Sequence, residues 1–593
     1  MVLGMVVPSL ASVFAIRTRA EYTYDSYADD TIVRVGLLYG NNAVTAFLTK
    51  TPEGFDVYSV GDDDVAEKIY TLKFKALEAV VDCNLSLSNG DYIKADAQCD
   101  IGAYHVTVDA DLTLDELYLA MNHAASNGID AHLIASYDAA AGAYRLLIGS
   151  FADAAAAENY LNAIEGAFDV FETANDTYSY TMSVISPSES AVCLINPENN
   201  MTVFRYDGYG ESELGLSAMD YEGETAYLQT PANKLYDGIF MFVRQNGGVA
   251  LINFISLEDY IKGVLPYEIS NSWPLETQKA FAICARSYAV NMLGRHKKDG
   301  FDLCNTVCCQ TYNGVRRVNE TVEQAVSETR GQVIVSESGE IITAYYSAVS
   351  GGTMISATDA WGGNESYLQP SVTPWEDYGS HSNGTWVWEV SPSELGKLLA
   401  SKGLELSGAI TDINIDKVSD SGEYVTKITF TDENGKKASV TNADNIRIKL
   451  APNIKSANFK VAKGSLTVND PCFDPDNDGK LFSYITSNGE GSILYTDFIP
   501  SATSKGFVKN WAGVNTAVIT ADGVVYPDCT YEIKAEDPSN YLFVGKGWGH
   551  GVGLSQVGAC SLGKQGFDAE FILKAYFAGA EIAVYSESEE YPL

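Results

Sequence analysis

Between Ser256 and Gly294 the chain reads SLEDYIKGVLPYEISNSWPLETQKAFAICARSYAVNMLG, and this stretch leaves few folding options. Ser256 followed by Asp259 has the spacing of a capping box, so a helix should start there. Pro266 has no amide hydrogen and crowds the preceding turn, so that helix should end or kink beside it. Ser272 is suited to cap a second helix, with Pro274 in its first turn and Glu276 near its positive end. Phe281, Cys284, Ala285, Tyr288, Ala289 and Met292 then recur at helical spacing, which predicts one buried face. Glu268 falls in the turn between the two helices. With Leu265, Tyr267, Ile269 and Trp273 around it, such a carboxyl group has surroundings that keep an acid protonated near neutral pH. The plain alternative is a surface glutamate capping a turn.

A chain of 593 residues is long enough for several domains, and 46% hydrophobic with 20% charged residues is the composition of a globular protein. The net charge of −39 opposes nucleic acid and anionic membrane surfaces as partners. Ten cysteines are too few for a disulfide-built scaffold of this size. Cys83 and Cys99 are a possible pair in an oxidising setting, whereas Cys304, Cys308 and Cys309 form a cluster. The first fifteen residues, MVLGMVVPSLASVFA, match a signal-peptide core and are short for a membrane span. The expectation is export, with residues 1–20 either cleaved or kept as an anchor.

The fold class expected is α+β and multidomain: a mixed helix and sheet domain with β-rich portions, plus a small ferredoxin-like module. Residues 21–100 alternate short β-like runs with turns and carry no catalytic pattern. Residues 101–175 read strand, helix, strand, helix (AYHVTVDA, LDELYLAMNHAASNG, AYRLLIGSF, DAAAAENYLNAIEGA). His105, His123 and His132 lie there without metal spacing. From 176 to 255 the pattern is β, closing on a strand pair turned at Asn246-Gly247-Gly248. Residues 318–330 read as helix, 331–350 as a strand pair, and 410–465 as alternating strands. Residues 466–540 look like an insertion. Within it DPDNDGK imitates half of a calcium loop, but Ile485 stands where the bidentate carboxylate belongs.

Four segments carry a resemblance: LEDYIKGVLPYEISNSWPLETQKAFAICARSYA, CNTVCCQTYNGV, ITAYYSAVSGG and GKGWGHGVGLSQVGA. In this order they resemble the signature of the sporulation protein D (SpoIID/LytB) family, over residues 176–585. The best-known members are lytic transglycosylases of bacterial cell-wall glycan, and others are described as enhancers of wall amidases. The second half of 101–175, YRLLIGSFADAAAAENYLNAI, resembles the SPOR domain, a glycan-binding module that favours strands stripped of peptide. An unrelated ferredoxin-like unit is the alternative.

The resemblance implies an exported or wall-associated lytic transglycosylase that cleaves between MurNAc and GlcNAc, with Glu268 as general acid and base. Arg286, Tyr288, Ser350, Gly351, Gly352, Trp548, His550, Ser555 and Gln556 fall at positions that would shape or contact the substrate, and Arg447 falls in a late family segment. Five glycines precede Leu554, so backbone can approach a ligand closely there. Some members bind zinc through cysteine and histidine near CNTVCCQ. Cys304, Cys308 and Cys309 with His296 would form such a site, and a disulfide among the cysteines is the other option. Expected partners are glycan strands and, on the rival reading of a non-catalytic regulator, a wall amidase.

Overall fold

In the computed structural model, the structure describes residues 31–585 apart from 130–131, 165–169, 173–176, 180, 221–223, 374, 377, 379–380, 470–482, 485–507, 512–514, 521–522 and 526–529. The leader-like segment 1–20 and the DPDNDGK turn lie outside these residues. Among the described residues no helix is long and apolar enough to cross a membrane. The α-helices, in chain order, are α1 (Leu114–Ser126), α2 (Ala154–Ile164), α3 (Leu257–Glu268), α4 (Leu275–Asn291), α5 (Glu320–Glu328), α6 (Ala357–Trp361), α7 (Pro392–Ser401), α8 (Ala443–Leu450), α9 (Gln556–Lys564) and α10 (Ala569–Lys574). The architecture is α+β.

The chain divides into two units, Met1–Tyr260 with Gly294–Arg316, and Ile261–Leu293 with Arg317–Leu593. The first holds two large sheets. One is seven-stranded and includes Ile32–Leu38, Phe55–Gly61, Ile239–Gln245 and Gly248–Ser256. The other is ten-stranded. Phe47 on the second packs edge-on to Phe240 on the first at 6.4 Å, and Tyr144 donates its hydroxyl to the carbonyl of Ile69.

The hairpin at Asn246-Gly247-Gly248 forms as expected. Asn246 and Gly247 both have positive φ (50° and 72°), which matches the twist of the strands on either side. The 101–175 region gains a strand that the periodicity did not show, Leu133–Asp138. Met182–Ile185 then completes a β-α-β-β-α-β unit with strand order 4-1-3-2, the ferredoxin-like arrangement.

This unit is not a bead on a string. Strand Met201–Asp207 pairs parallel with Leu133–Asp138 and carries the sheet on through Ala191–Asn196 to Ala76–Val81 and Ala46–Lys50. Ile32–Leu38 pairs antiparallel with Gly248–Ser256 in the other sheet. The two sheets therefore take strands from both sides of residues 100 and 175. Strand partners are distant in sequence, and no local pattern announces them. Ile134–Asp138 and Ala143–Ile148 are buried at nearly every successive residue, so both faces of these strands are covered.

The helix pair α3–α4 is as read, with one correction. Ser256 accepts from the Asp259 amide (3.2 Å) and gives its hydroxyl to Asp259 Oδ2 (2.7 Å), so α3 starts where its cap predicts. The N-cap of α4 is Pro274, not Ser272. Ser272 bonds the Ser270 hydroxyl at 2.8 Å instead, and the first helical bond closes from Gln278 N to Pro274 O. α4 is buried nearly all round from Thr277 to Ala289, which makes it a core helix rather than a striped one.

Residues 443–450, expected as strand, form α8. Ile446, Ile448 and Leu450 alternate as a strand would. The helix instead buries Ile446 and Leu450, four apart, and leaves Ile448 48% exposed. Trp375, Trp386 and Trp388 are packing residues: Trp386 donates to Gly547 O at 3.1 Å, and Trp388 stacks on Phe543.

Candidate functional site

Glu268 is the last residue of α3 and is half-buried. The helix runs through Pro266 and ends two residues later, so the glutamate sits on the helix end, not in the turn beyond it. The loop that follows is pinned on both sides. Gln278, fully buried in α4, donates to Ser270 O at 2.7 Å, and Asn271 donates to Arg317 O at 2.8 Å. Asn319 donates to Asn271 O at 3.0 Å, and the Arg317 guanidinium lies 4.9 Å over the Tyr267 ring.

The glycine-rich loop follows the strand Tyr541–Lys546. Gly547, Gly549, Gly551 and Gly553 all have positive φ, between 74° and 112°, alternating with ordinary residues. A side chain at 553 would also meet Tyr345 O at 2.0 Å, and one at 551 the Tyr424 hydroxyl at 2.2 Å. Freed of side chains, the loop zips onto the SAVSGG segment. Val349 and Trp548 exchange backbone bonds (3.1 and 2.8 Å), Tyr346–Ser347 runs parallel to Leu554–Ser555, and Val557 N reaches Ala348 O at 3.1 Å.

At the centre of this zipper is a buried carboxylate that the sequence reading missed, Glu376. It accepts from Ser350 N (2.9 Å), the Ser350 hydroxyl, Gly352 N (3.2 Å), Thr373 Oγ1 (3.1 Å) and Ser555 Oγ (2.5 Å). Tyr424, also buried, donates to Ser350 O at 2.9 Å. The only trace of Glu376 in the sequence is an acid beside Trp375 in an aromatic, loop-rich segment.

The structure thus brings Ser350, Gly351, Gly352, Trp548, His550 and Ser555 together. Ser350 and Ser555 are fully buried and spent on Glu376, so they hold the walls. His550 accepts from Val552 N at 3.0 Å through Nδ1 and also bonds the Tyr346 backbone. Burial pushes its pKa down to about 4, with Asp444 and Arg447 acting in opposite directions, so it is neutral at pH 7. Trp548 is the loop's exposed ring, at 42%, with His381 5.8 Å away.

Gln556 is buried at the start of α9, which Ser555 caps. Arg286 has no exposed surface and donates to Gln332 O at 2.9 Å. Tyr288 is buried against Tyr345 and Tyr346, at 5.9 and 6.2 Å. These two therefore tie α4 to its surroundings. Thr277, near the start of α4, donates to Ala559 O in α9 at 3.3 Å. Arg447 pairs with Asp444 at 2.7 Å.

In the first unit, the ligand atoms of His296, Cys304, Cys308 and Cys309 lie within 4.8 Å of one another. All three thiols are free, as are Cys83 and Cys99. Cys304 and Cys309 are buried, Cys308 is exposed and His296 half-buried. His296 turns Nε2 towards Cys308 Sγ (4.0 Å) and Nδ1 towards Asp299 Oδ2 (3.4 Å). Burial raises the Cys304 thiol, but hydrogen bonds from Thr306 and Cys309 and the nearby His296 outweigh it and bring it down to about 7. Burial pushes Cys309 up to about 12. Three sulfurs and one imidazole within this distance could hold a soft metal ion such as zinc.

Residues 245–335 match the family model described as Stage II sporulation protein, SpoIID. That stretch contains Glu268, Arg286 and the cysteine–histidine cluster. The chain is 33% identical to an uncharacterized protein of Brachyspira hyodysenteriae over 251 residues, covering 40% of this chain and 66% of that protein. It is 26% identical to the amidase enhancer of Bacillus subtilis over 334 residues, covering 55% of this chain and 40% of that protein.

Proposed function

We propose that this chain, matched to the stage II sporulation protein family over residues 245–335, is an exported lytic transglycosylase acting on peptide-free cell-wall glycan. The observation that carries the reading is a half-buried glutamate inside that matched stretch, at the end of α3 and before a loop pinned by Gln278, Asn271 and Asn319.

The chemistry needs one carboxyl group. Glu268 gives its proton to the glycosidic oxygen as the bond from MurNAc C1 to that oxygen breaks. The resulting carboxylate takes the proton of the C6 hydroxyl of the same sugar as that oxygen bonds to C1. No water is consumed, the enzyme is returned to its starting protonation, and the product ends in an anhydro ring. Attack from within one sugar supplies proximity worth several kcal/mol. The carboxyl-terminal end of a helix, the negative end of its dipole, is also a setting that favours a neutral acid over an anion. The walls built on Glu376, with Trp548 exposed on the loop, would receive the sugar face.

Zinc fits the cluster of His296, Cys304, Cys308 and Cys309, which would hold it as a structural ion that orders the loop around it. The SPOR-like module would recognise stripped glycan through its helices and loops, since the faces of its central strands are covered. The name of one relative, amidase enhancer, favours a second reading, a non-catalytic partner of a wall amidase.

Incubating the protein with amidase-treated glycan strands decides between them. Anhydro-muramoyl products should appear by mass spectrometry with the wild type and be lost with Glu268→Gln. A wild type that binds glycan yet forms no such product overturns the enzymatic reading.

A further inference from the structure

We propose that Asp299 and Tyr39 set up the cysteine–histidine cluster for its metal ion, and that the bound ion staples the 296–309 loop in the form that pairs with the amino-terminal strand Ile32–Leu38. This rests on the zinc reading above and adds two residues and a mechanical role to it.

Asp299 lies one short turn beyond His296, with its amide on the His296 carbonyl at 2.8 Å and its carboxylate 3.4 Å from His296 Nδ1. A carboxylate there holds the proton on Nδ1 and leaves the Nε2 lone pair for a metal, the usual second partner of a ligating histidine. Nε2 is the nitrogen facing Cys308.

Tyr39 comes from the other end of the chain segment. Its hydroxyl lies beside the Cys304 thiol, and its ring packs on Phe301 at 4.6 Å. Phe301 in turn stacks on His296 at 5.0 Å with 19° between the planes. Phe301 also lies over Gly36, where an added Cβ would come within 2.6 Å of the ring. The strand before Tyr39 therefore forms the floor of the cluster.

Cys304 lies on the short strand Leu303–Cys304, which pairs with that floor. Val35 pairs with Leu303 and Gly36 with Cys304 in a short parallel bridge. Arg34 N reaches Asp302 Oδ2 at 2.9 Å, Asp302 N returns to Arg34 O at 2.8 Å, and Asn305 N reaches Gly36 O at 3.3 Å. An ion that bonds Cys304 together with His296, Cys308 and Cys309 fixes the loop on either side of Leu303–Cys304, the segment that pairs with Ile32–Leu38. The short bridge then has an ordered partner to hold on one side.

The test uses the full chain and zinc alone. The wild type should bind one zinc, and its cobalt-substituted form should show strong thiolate charge-transfer absorption that weakens in Cys308→Ser. Against a chromophoric chelator, Asp299→Ala and Tyr39→Phe should each lose about tenfold or more in zinc affinity. Asp299→Glu should recover it, and Lys297→Ala, exposed on the same turn, should match the wild type. Hydrogen exchange should show the amides of Ile32–Leu38 losing protection when zinc is stripped and regaining it on return. Asp299→Ala and Tyr39→Phe affinities within about twofold of wild type overturn the positioning role. Unchanged exchange in Ile32–Leu38 overturns the staple. A wild type that takes no zinc and carries a disulfide in the cluster overturns the zinc reading itself, before any variant is made.

Discussion

His296, Cys304, Cys308 and Cys309 come from one short run of sequence, whereas the walls around His550 come from segments as distant as Tyr345, Glu376, Tyr424 and Leu554. The first region needs only a local turn and a strand beneath it to bring its donors together. The second depends on a buried carboxylate that satisfies donors from three separate segments. A cluster whose donors share one short run depends on the rest of the chain only through Tyr39 and the strand beneath it. A site closed through one side chain depends on every segment that side chain joins.

The largest blow to the second region should come from Glu376→Ala. It leaves the Ser350, Thr373 and Ser555 hydroxyls and two backbone amides without their buried acceptor, a loss of about 3 kcal/mol or more. Denaturant unfolding should show the loss, anhydro-product formation should fall with it, and zinc binding by the cluster should stay at the wild-type value. Zinc affinity falling in step would break the contrast.

Next in size is Gly553→Ala, which places a side chain at φ 75° against the Tyr345 carbonyl and should cost about 2 kcal/mol or more. Melting of Gly553→Ala beside Gly566→Ala isolates the clash, because Gly566 also has positive φ but open space around it. Tyr424→Phe keeps the ring and removes only the hydroxyl shared between Ser350 O and Thr353 O, for about 1 kcal/mol.

The smallest effect is one of pH. His550 protonates near pH 4 in the folded chain because it is buried, against the ordinary histidine value of about 6.5 when unfolded. Between those values the unfolded chain holds the extra proton. The stability this group allows is therefore complete above about pH 6.5, lost as pH falls towards about 4, and flat below. Thermal melts of wild type and His550→Gln across that range should diverge on the acid side. Parallel profiles would mean that the imidazole is not sheltered.

The same contrast explains which readings of the sequence held. The Ser256 cap and the Asn246-Gly247 hairpin are local, and the structure places each where its residues indicate. Ser272 was misread as a cap because Ser270, two residues away, competes for its hydroxyl. Ala443–Leu450 was misread as a strand because its apolar residues alternate while its core contact needs only every fourth one. Nothing local marks Glu376, whose role is the sum of bonds from residues up to Ser555.

By itself, the sequence determined the pieces whose physics acts over a few residues: where α3 starts, where a hairpin turns, and which sulfurs and imidazole can meet at one point. Only the tertiary structure decided that Ile32–Leu38 lies beneath Cys304 and that Ser350 and Ser555 are spent on one buried acid. Strand partners and acceptors for buried donors are chosen by packing across the whole chain, and that choice leaves no periodic mark on the residues that make it.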